Sequence, residues 1–323
     1  MILVTGGTGF LGRAVVDALG AGGHAVRVLA RRPVEGAAFG PTAEVVLGDL
    51  RDAPSLDRAV AGAEAVVHAA AVLTLDAGGE AALRAVNVEG TRALAHTARR
   101  AGVRRFVHVS TAGVYGDDDR TPAREDSPAR ATRPYERSKR DAERALLDAL
   151  AGTDVEWTVL RPAGIYGPGR AATARFVREV GRRRVWLHGP TEVIVHPTYV
   201  DDVVAAVRLS LLRDDLAGET LNVAGARWLR YEELIALVAM ELGRRVRQLR
   251  VPRAPARHLA QAVAGACRVA RRPIPVRVQG SCRRHAGRAV DTSKARALLG
   301  VDPLPLETGI ARTIAWAAGA GLL

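Results

Sequence analysis

Lysine is nearly missing from this chain. Of 47 basic side chains in 323 residues, two are lysine, Lys139 and Lys294. Arginine therefore serves almost wherever a positive charge is wanted. A lysine marks a place that needs a compact ammonium with a tunable pKa rather than a planar, permanently charged guanidinium. Cysteine is as scarce. Cys267 and Cys282 form neither a disulfide framework nor a metal-ligand spacing, so no metal is expected and a reducing cytoplasm is the expected setting. No apolar run is long enough to span a bilayer. Residues 2–4 already read as a buried strand, so no leader is expected and the protein is expected to be cytoplasmic.

Acidic residues are absent from 242 to 290, where thirteen of the 47 basic residues fall; elsewhere 34 basic side chains face 34 acidic ones. The net charge of +13 therefore lies in this one segment. It reads either as a solvated arginine-rich surface or as an attractor for an anionic substrate, an acidic carrier protein or an anionic membrane surface. Without a zinc finger, an RNA-binding aromatic motif or a helix-turn-helix pattern, nucleic acid is not an expected partner.

What is present is an alternation of apolar strands and helical patterns. Strands are expected at 2–5, 25–29, 43–47, 65–68, 106–110 and 155–160, and helices at 12–19, 52–61, 80–101 and from about 134 to 150. Strands separated by helices imply right-handed crossovers and a parallel sheet. The fold class is therefore α/β, a Rossmann-type doubly wound sheet, with a smaller mixed α/β substrate lobe after it. The expected division is 1–165 for dinucleotide binding and 166–323 for the smaller lobe, with the chain crossing back to the core. Further helices are expected at 172–181, 200–211, 231–242 and 254–268, with strands at 219–223 and 246–251.

Two local patterns carry chemistry. Thr5-Gly6-Gly7-Thr8-Gly9-Phe10-Leu11-Gly12 follows the first strand and opens a helix. Glycines there permit a tight turn and let backbone amides approach a pyrophosphate at the helix N-terminus. After the second strand comes Ala30-Arg31-Arg32, with no acid to take a ribose 2′-hydroxyl. Two arginines there suit a 2′-phosphate, which favours NADP(H) and leaves NAD(H) open, with Glu35 within sequence reach of the ribose. The other pattern is Tyr135 with Lys139 at i+4. On a helix the two share a face, where the ammonium lowers the phenol pKa and the tyrosine becomes a general acid or base.

With these residues the chain resembles the extended short-chain dehydrogenase/reductase family, nearly end to end. Gly48-Asp49-Leu50 is similar to its third-strand turn, Val67-His68-Ala69-Ala70-Ala71 to its fourth-strand segment, Asn87-Val88-Glu89-Gly90-Thr91 to a helix motif and His108-Val109-Ser110-Thr111-Ala112-Gly113-Val114-Tyr115-Gly116 to its active-site strand and loop. Leu160-Arg161-Pro162-Ala163-Gly164-Ile165-Tyr166 resembles the segment that meets the nicotinamide, and later stretches, 196–203 and 291–295, resemble its last signatures. The second of these gives Lys294 a structural place near a helix start.

The resemblance implies Thr111, Tyr135 and Lys139 as the catalytic set, with adjacent Ser110 as the competing register. It implies a cofactor site of Gly6, Thr8, Gly9, Phe10, Leu11, Gly12, Arg31, Arg32, Asp49, Leu50, Ala69, Ala70, Ala71, Asn87, Tyr135, Lys139, Pro162 and Ile165, with Asp49 at the adenine amine and Lys139 at the nicotinamide ribose. Ala112 and Gly113 stand where the 4,6-dehydratases of the family carry acids, which argues against dehydration, and Arg31-Arg32 argues against a 4-epimerase that retains NAD. The expected reaction is NADP(H)-dependent interconversion of a carbonyl and a secondary alcohol on a small-molecule substrate, apolar, anionic or linked to a carrier or nucleotide. The arginine-flanked apolar helix expected at 254–268 resembles an extra helix of the hydroxysteroid dehydrogenase and ketone reductase branch. A nucleotide-sugar 4-epimerase, an NADP-binding sensor or scaffold, and a carrier- or membrane-associated module remain as alternatives. Family members often form homodimers through the helix that carries Lys139.

Overall fold

The computed structural model describes residues 1–34, 39–40, 43–73, 79–116, 122–182, 184–188, 193–251, 262–263, 265–266 and 289–323. Glu35, most of the basic segment 242–290 and most of the expected helix at 254–268 lie outside the described residues; residues 262–263 and 265–266 of that helix are described and are helical.

Seven parallel strands make the main sheet. In chain order they are β1 (Ile2–Thr5), β2 (Val26–Ala30), β3 (Ala43–Leu47), β4 (Ala65–His68), β5 (Arg105–Val109), β6 (Glu156–Pro162) and, after four short strands β7 (Gly164–Tyr166), β8 (Arg184–His188), β9 (Ile194–Val195) and β10 (Pro197–Tyr199), β11 (Glu219–Val223). Their spatial order is β11-β6-β5-β4-β1-β2-β3, and every neighbouring pair is parallel. β1, β4 and β5 are buried along their whole length, as expected of strands covered on both faces. The order reverses between β1 and β4, and in such sheets the crevice beyond the strands' carboxyl ends at that switch point takes the ligand.

The helices of this part of the chain are α1 (Phe10–Ala21), α2 (Ala53–Val60), α3 (Gly79–Leu83), α4 (Gly90–Arg100), α5 (Pro134–Leu150) and, after α6 (Ala171–Val180) of the second unit, α7 (Val200–Leu212). Leu3, Leu56, Val66, Leu94, Phe106, Leu146 and Val159 interlock α2, α4 and α5 with the sheet in one apolar cluster. The sequence reads as one helix over 80–101, but the structure interrupts it with a π-helical turn at Arg84–Glu89. Apolar periodicity is insensitive to one extra residue in the ladder, and such turns gather at functional sites. Here the turn carries Asn87.

The chain divides into two compact units. The first is Met1–Ile165 with Pro197–Ala226 and Val290–Leu304. Helix α7 and strand β11, which the sequence alone groups with the smaller lobe, belong to it. β11 supplies the edge beside β6, with Glu219 opposite Thr158 and Val223 opposite Pro162. Helix α9, here Ser293–Leu299 once α8 (Tyr231–Glu241) is counted, also lies in this unit, and the Lys294 ammonium near its start bonds the Thr220 carbonyl at 3.1 Å.

The second unit is Tyr166–His196, Arg227–Ala289 and Pro305–Leu323. It holds α6, α8 and α10 (Leu306–Gly319), packed through Val177, Val180, Ile235, Val238, Leu306 and Ile310. Strand β12 (Leu229–Arg230) pairs antiparallel with β9. Strand β13 (Arg247–Val251) pairs in parallel with β8, a strand that no sequence pattern announced. Among the described residues no helix is long and apolar enough to cross a membrane.

Candidate active site

The glycine loop lies between β1 and α1, beyond the carboxyl end of β1. Gly6 adopts φ +75°, and a Cβ there would stand 2.6 Å from the Ala70 nitrogen. A Cβ on Gly12 would stand 2.1 Å from the Gly6 carbonyl oxygen. Only glycine meets the first conformation and the second approach. The Gly9 amide closes the turn on the Gly6 carbonyl at 2.9 Å. Gly9 caps α1 without a side-chain bond, and Thr8 and Gly9 are exposed while Phe10 and Leu11 are half-buried. The start of α1 thus carries no side-chain cap bond, and a helix N-terminus of this kind suits a pyrophosphate. Ala69, Ala70 and Ala71 run on from β4 against the loop, half-buried.

Arg31 and Arg32 follow β2 directly and are exposed. Residues 30–34 include no carboxylate. Asp49 is bound to its neighbour: Arg51 donates to it from its amide (2.9 Å), Nε (2.9 Å) and Nη2 (2.8 Å). These bonds, led by the side-chain one, overcome partial burial and hold the carboxyl down at about 2, with Arg31 contributing. Asp49 is therefore an anion here, and Leu50 beside it is buried.

Asn87 acts as a clamp. Its Oδ1 accepts the Val72 amide at 2.8 Å, and its Nδ2 donates to the Val72 carbonyl at 3.0 Å and to Ser138 Oγ at 2.8 Å. Ser138 in turn donates to the Tyr135 carbonyl at 2.7 Å. One asparagine thus joins the segment after β4 to the first turn of α5, the turn that holds Tyr135. Pro134 opens α5 at a position where a missing N–H costs nothing. Tyr135 is half-buried, and Lys139 is 2% exposed.

The Lys139 ammonium donates to the Val109 carbonyl at 2.7 Å and lies 3.3 Å from His108 Nε2. Burial lowers its pKa from 10.5 to about 8, and the Glu143 carboxylate one turn on opposes that fall. An ammonium has three N–H groups. Among the described residues two are taken, and one remains for a further acceptor.

Beyond β5, Ser110 and Thr111 part ways. Ser110 is 4% exposed and gives its hydroxyl hydrogen to Glu143. Thr111 is half-buried at the cap of a short 3-10 turn, Ala112–Tyr115, and its Oγ1 accepts the Gly113 amide at 3.1 Å. Its hydroxyl proton points to no protein acceptor among the described residues. Ala112 is buried, and Glu136 packs over Gly113, where an added Cβ would meet Glu136 Cγ at 2.8 Å. Pro162, buried, ends β6, and Ile165 follows, half-buried.

Behind this surface lies a charged network that no short motif points to. Arg161 Nη2 meets Glu143 Oε2 at 2.7 Å and its Nε meets Oε1 at 3.1 Å. Arg161 Nη1 donates to Tyr115 Oη at 2.9 Å, and Tyr115 donates to Asn222 Oδ1 at 2.7 Å. Glu143 holds the Arg161 guanidinium charged despite burial. The signal available in the sequence was a glutamate four residues after Lys139, on the same helix face.

The whole chain resembles known proteins of one family. Residues 2–224 match the NAD dependent epimerase/dehydratase family. Sterol demethylase protein B of Methylococcus capsulatus is 38% identical over 233 residues, covering 69% of each chain. A 3-beta-hydroxysteroid dehydrogenase of Mycolicibacterium neoaurum is 33% identical over 63% of this chain and 58% of its own length. A dTDP-glucose 4,6-dehydratase of Streptomyces griseus is 32% identical over 75% of this chain and 78% of its own. Among solved structures, MoeE5 in complex with UDP-glucose and NAD superposes with a TM-score of 0.79 at 25% identity, covering 99% of both chains. On the family match, the parallel sheet and these relatives, the chain belongs to the NAD dependent epimerase/dehydratase family, within the extended short-chain dehydrogenases/reductases.

Proposed function

We propose that the protein is a nicotinamide-dependent oxidoreductase that interconverts a carbonyl and a secondary alcohol on an apolar substrate. The observation that carries this reading is the buried Lys139 ammonium, one helical turn after Tyr135, anchored on two acceptors with a third N–H to spare. An ammonium buried to 2% exposure without function would be costly to keep. Supporting the substrate class are relatives named for sterol and hydroxysteroid chemistry.

In this reading the loop amides from Gly6 to Gly12 hold the pyrophosphate, Arg31 and Arg32 hold a 2′-phosphate, and residues 69–71 line the dinucleotide. The bound nicotinamide ring supplies or takes the hydride. Thr111 donates its hydroxyl hydrogen to the substrate oxygen, because its own oxygen already accepts from Gly113. Tyr135 gives that oxygen a proton in reduction and takes one in oxidation. The Lys139 charge favours the phenolate and so brings the tyrosine towards neutral pH. The Asn87–Ser138 link keeps Tyr135 in place as the helix start is pulled towards the segment after β4.

The test is NADPH and NADH oxidation across a panel of ketosteroids, other apolar ketones and aldehydes. Turnover of an apolar ketone that disappears in Tyr135→Phe, with dinucleotide binding retained, supports the reading. Retained turnover in that variant removes it.

A second reading is a nucleotide-sugar 4-epimerase, favoured by the superposition on the UDP-glucose complex over 99% of the chain. It predicts a co-purifying dinucleotide and conversion of UDP-glucose without net change in cofactor absorbance. Dehydration fits less well, because Ala112 and Gly113 leave no acid pair beside Thr111.

A further inference from the structure

Two histidines lie side by side in the interior of the first unit, their ring centres 5.2 Å apart. His68 on β4 is fully bonded. Thr91 gives its hydroxyl hydrogen to the Asn87 carbonyl at 2.6 Å, so it accepts from His68 Nε2 at 2.9 Å. His68 Nδ1 then accepts the Thr5 hydroxyl at 2.6 Å. One neutral tautomer satisfies every atom, and burial keeps the ring neutral down to about pH 3.

His108 on β5 is different. It is 0% exposed, its Nδ1 has no hydrogen-bond partner among the described residues, and its Nε2 faces Lys139 Nζ at 3.3 Å. Leaving a buried ring nitrogen unsatisfied costs stability, whereas an apolar side chain at that place would cost nothing of the kind. An ammonium only donates, so Nε2 is bare and the proton of the neutral ring sits on Nδ1.

We propose that His108 is a positioning residue for the reaction: its Nε2 lone pair aims the Lys139 ammonium and stabilises its charge. This rests on the reading of Tyr135 and Lys139 as the proton-transfer pair. Val109 O and His108 Nε2 are the two hydrogen-bond acceptors of Nζ among the described residues. With both in place the third N–H has a fixed direction. With Val109 alone, the ammonium can swing about one bond and loses one of the acceptors that offset its burial. The other charged or titratable groups around it are Glu143 on α5, already locked to Arg161 of β6; Tyr135, one turn earlier; and His68, neutral behind His108. None of these replaces the lost acceptor.

The scarcity of lysine makes the test direct. Protein labelled with ε-13C lysine has two signals, from Lys139 and Lys294, and Lys294→Arg assigns them. The wild-type Lys139 signal is expected to titrate near pH 8. In His108→Phe the charged form loses an acceptor, so the midpoint falls, by about one pH unit for a hydrogen bond to a charged group. In His108→Gln the amide oxygen takes the place of Nε2, and the midpoint returns towards the wild-type value. Equal midpoints in wild type and the Phe variant, or a Gln variant that falls as far as Phe, would overturn the proposal. If the Phe variant does not fold, His108→Asn takes its place, since its shorter amide withdraws the acceptor. A fall in Asn that Gln does not share supports the proposal, and equal midpoints in the two overturn it. Turnover of Tyr135→Phe judges the proton-transfer reading separately: an active variant sinks that reading and leaves the lysine titration to be decided on its own result.

Discussion

The Ser110 hydroxyl donates to the Glu143 carboxylate, while Thr111, the next residue, accepts from the Gly113 amide. Neighbours on an extended chain face opposite sides, so one of the pair is buried in the network and the other is left half-exposed beyond the strand. Thr111→Val is therefore expected to lower kcat by about a hundredfold or more, the usual loss when one donor to a reacting oxygen is removed. Ser110→Ala is expected to keep kcat within a few-fold but to lower stability by about 1–3 kcal/mol, because Glu143 loses a buried donor. Steady-state kinetics and urea melts on both variants separate these roles, and the opposite pattern would transfer the catalytic part to Ser110.

Glu143 and Arg161 form a two-pronged ion pair with side chains 7% and 11% exposed. Breaking a buried pair from one side strands the other charge and costs about 3–5 kcal/mol. Glu143→Gln should therefore destabilise strongly in urea, since the buried Arg161 charge keeps only neutral acceptors among the described residues, Tyr115, the Glu125 carbonyl and the new amide oxygen. The double variant Glu143→Met with Arg161→Met should recover much of that loss, as apolar replacement of buried pairs often does. A double variant no better than the single one would mean that the pair is worth more than its desolvation.

The strands and helices of the parallel sheet follow from patterns a reader can see in a few adjacent residues. The glycine loop is contiguous, and Tyr135 with Lys139 spans a single helical turn. The rest of the site joins distant parts. Ser110 meets Glu143 across 33 residues, Lys139 meets His108 across 31, Asn87 meets Ser138 across 51 and Tyr115 meets Asn222 across 107. No local period records such pairings. The π-helical turn at Arg84–Glu89 escaped for a related reason: it is set by where Asn87 must reach Val72 rather than by the apolar stripe. The same holds for β11, whose five residues read as a short strand anywhere until their partner β6 is known.

In the proposed function Arg31 and Arg32, exposed directly after β2 with no carboxylate beside them, select the cofactor. Arg31→Asp with Arg32→Ser should reverse the preference from NADPH to NADH, measured as the ratio of kcat/KM for the two. Each lost charge contact to the 2′-phosphate corresponds to about 1–3 kcal/mol, so the ratio should move by at least about tenfold. A ratio that stays put would place the 2′ position elsewhere, and with it the argument against NAD.

Lys139 ties activity to stability with opposite signs. Its folded pKa is near 8 and its unfolded value is 10.5. Between these values the unfolded chain holds a proton that the folded one has lost, so folding gains as pH rises from 8 to 10.5; below 8 the buried charge is a cost carried by the fold. Turnover runs the other way, because the ammonium that favours the phenolate disappears over the same interval. Lys139→Arg cannot follow either trend. Its charge persists above pH 12, and its planar head does not fit the seat between Val109 and His108. It should lose most activity at every pH. Urea melts of wild type and Lys139→Met at pH 8, 9 and 10 isolate the stability part. The missing bonds to Val109 and His108 set a constant offset, while the wild type should gain on the variant by up to about 3 kcal/mol across the interval. A difference that stays flat with pH would show that Lys139 is not the group titrating there, and the loss of turnover above pH 8 would then need another proton.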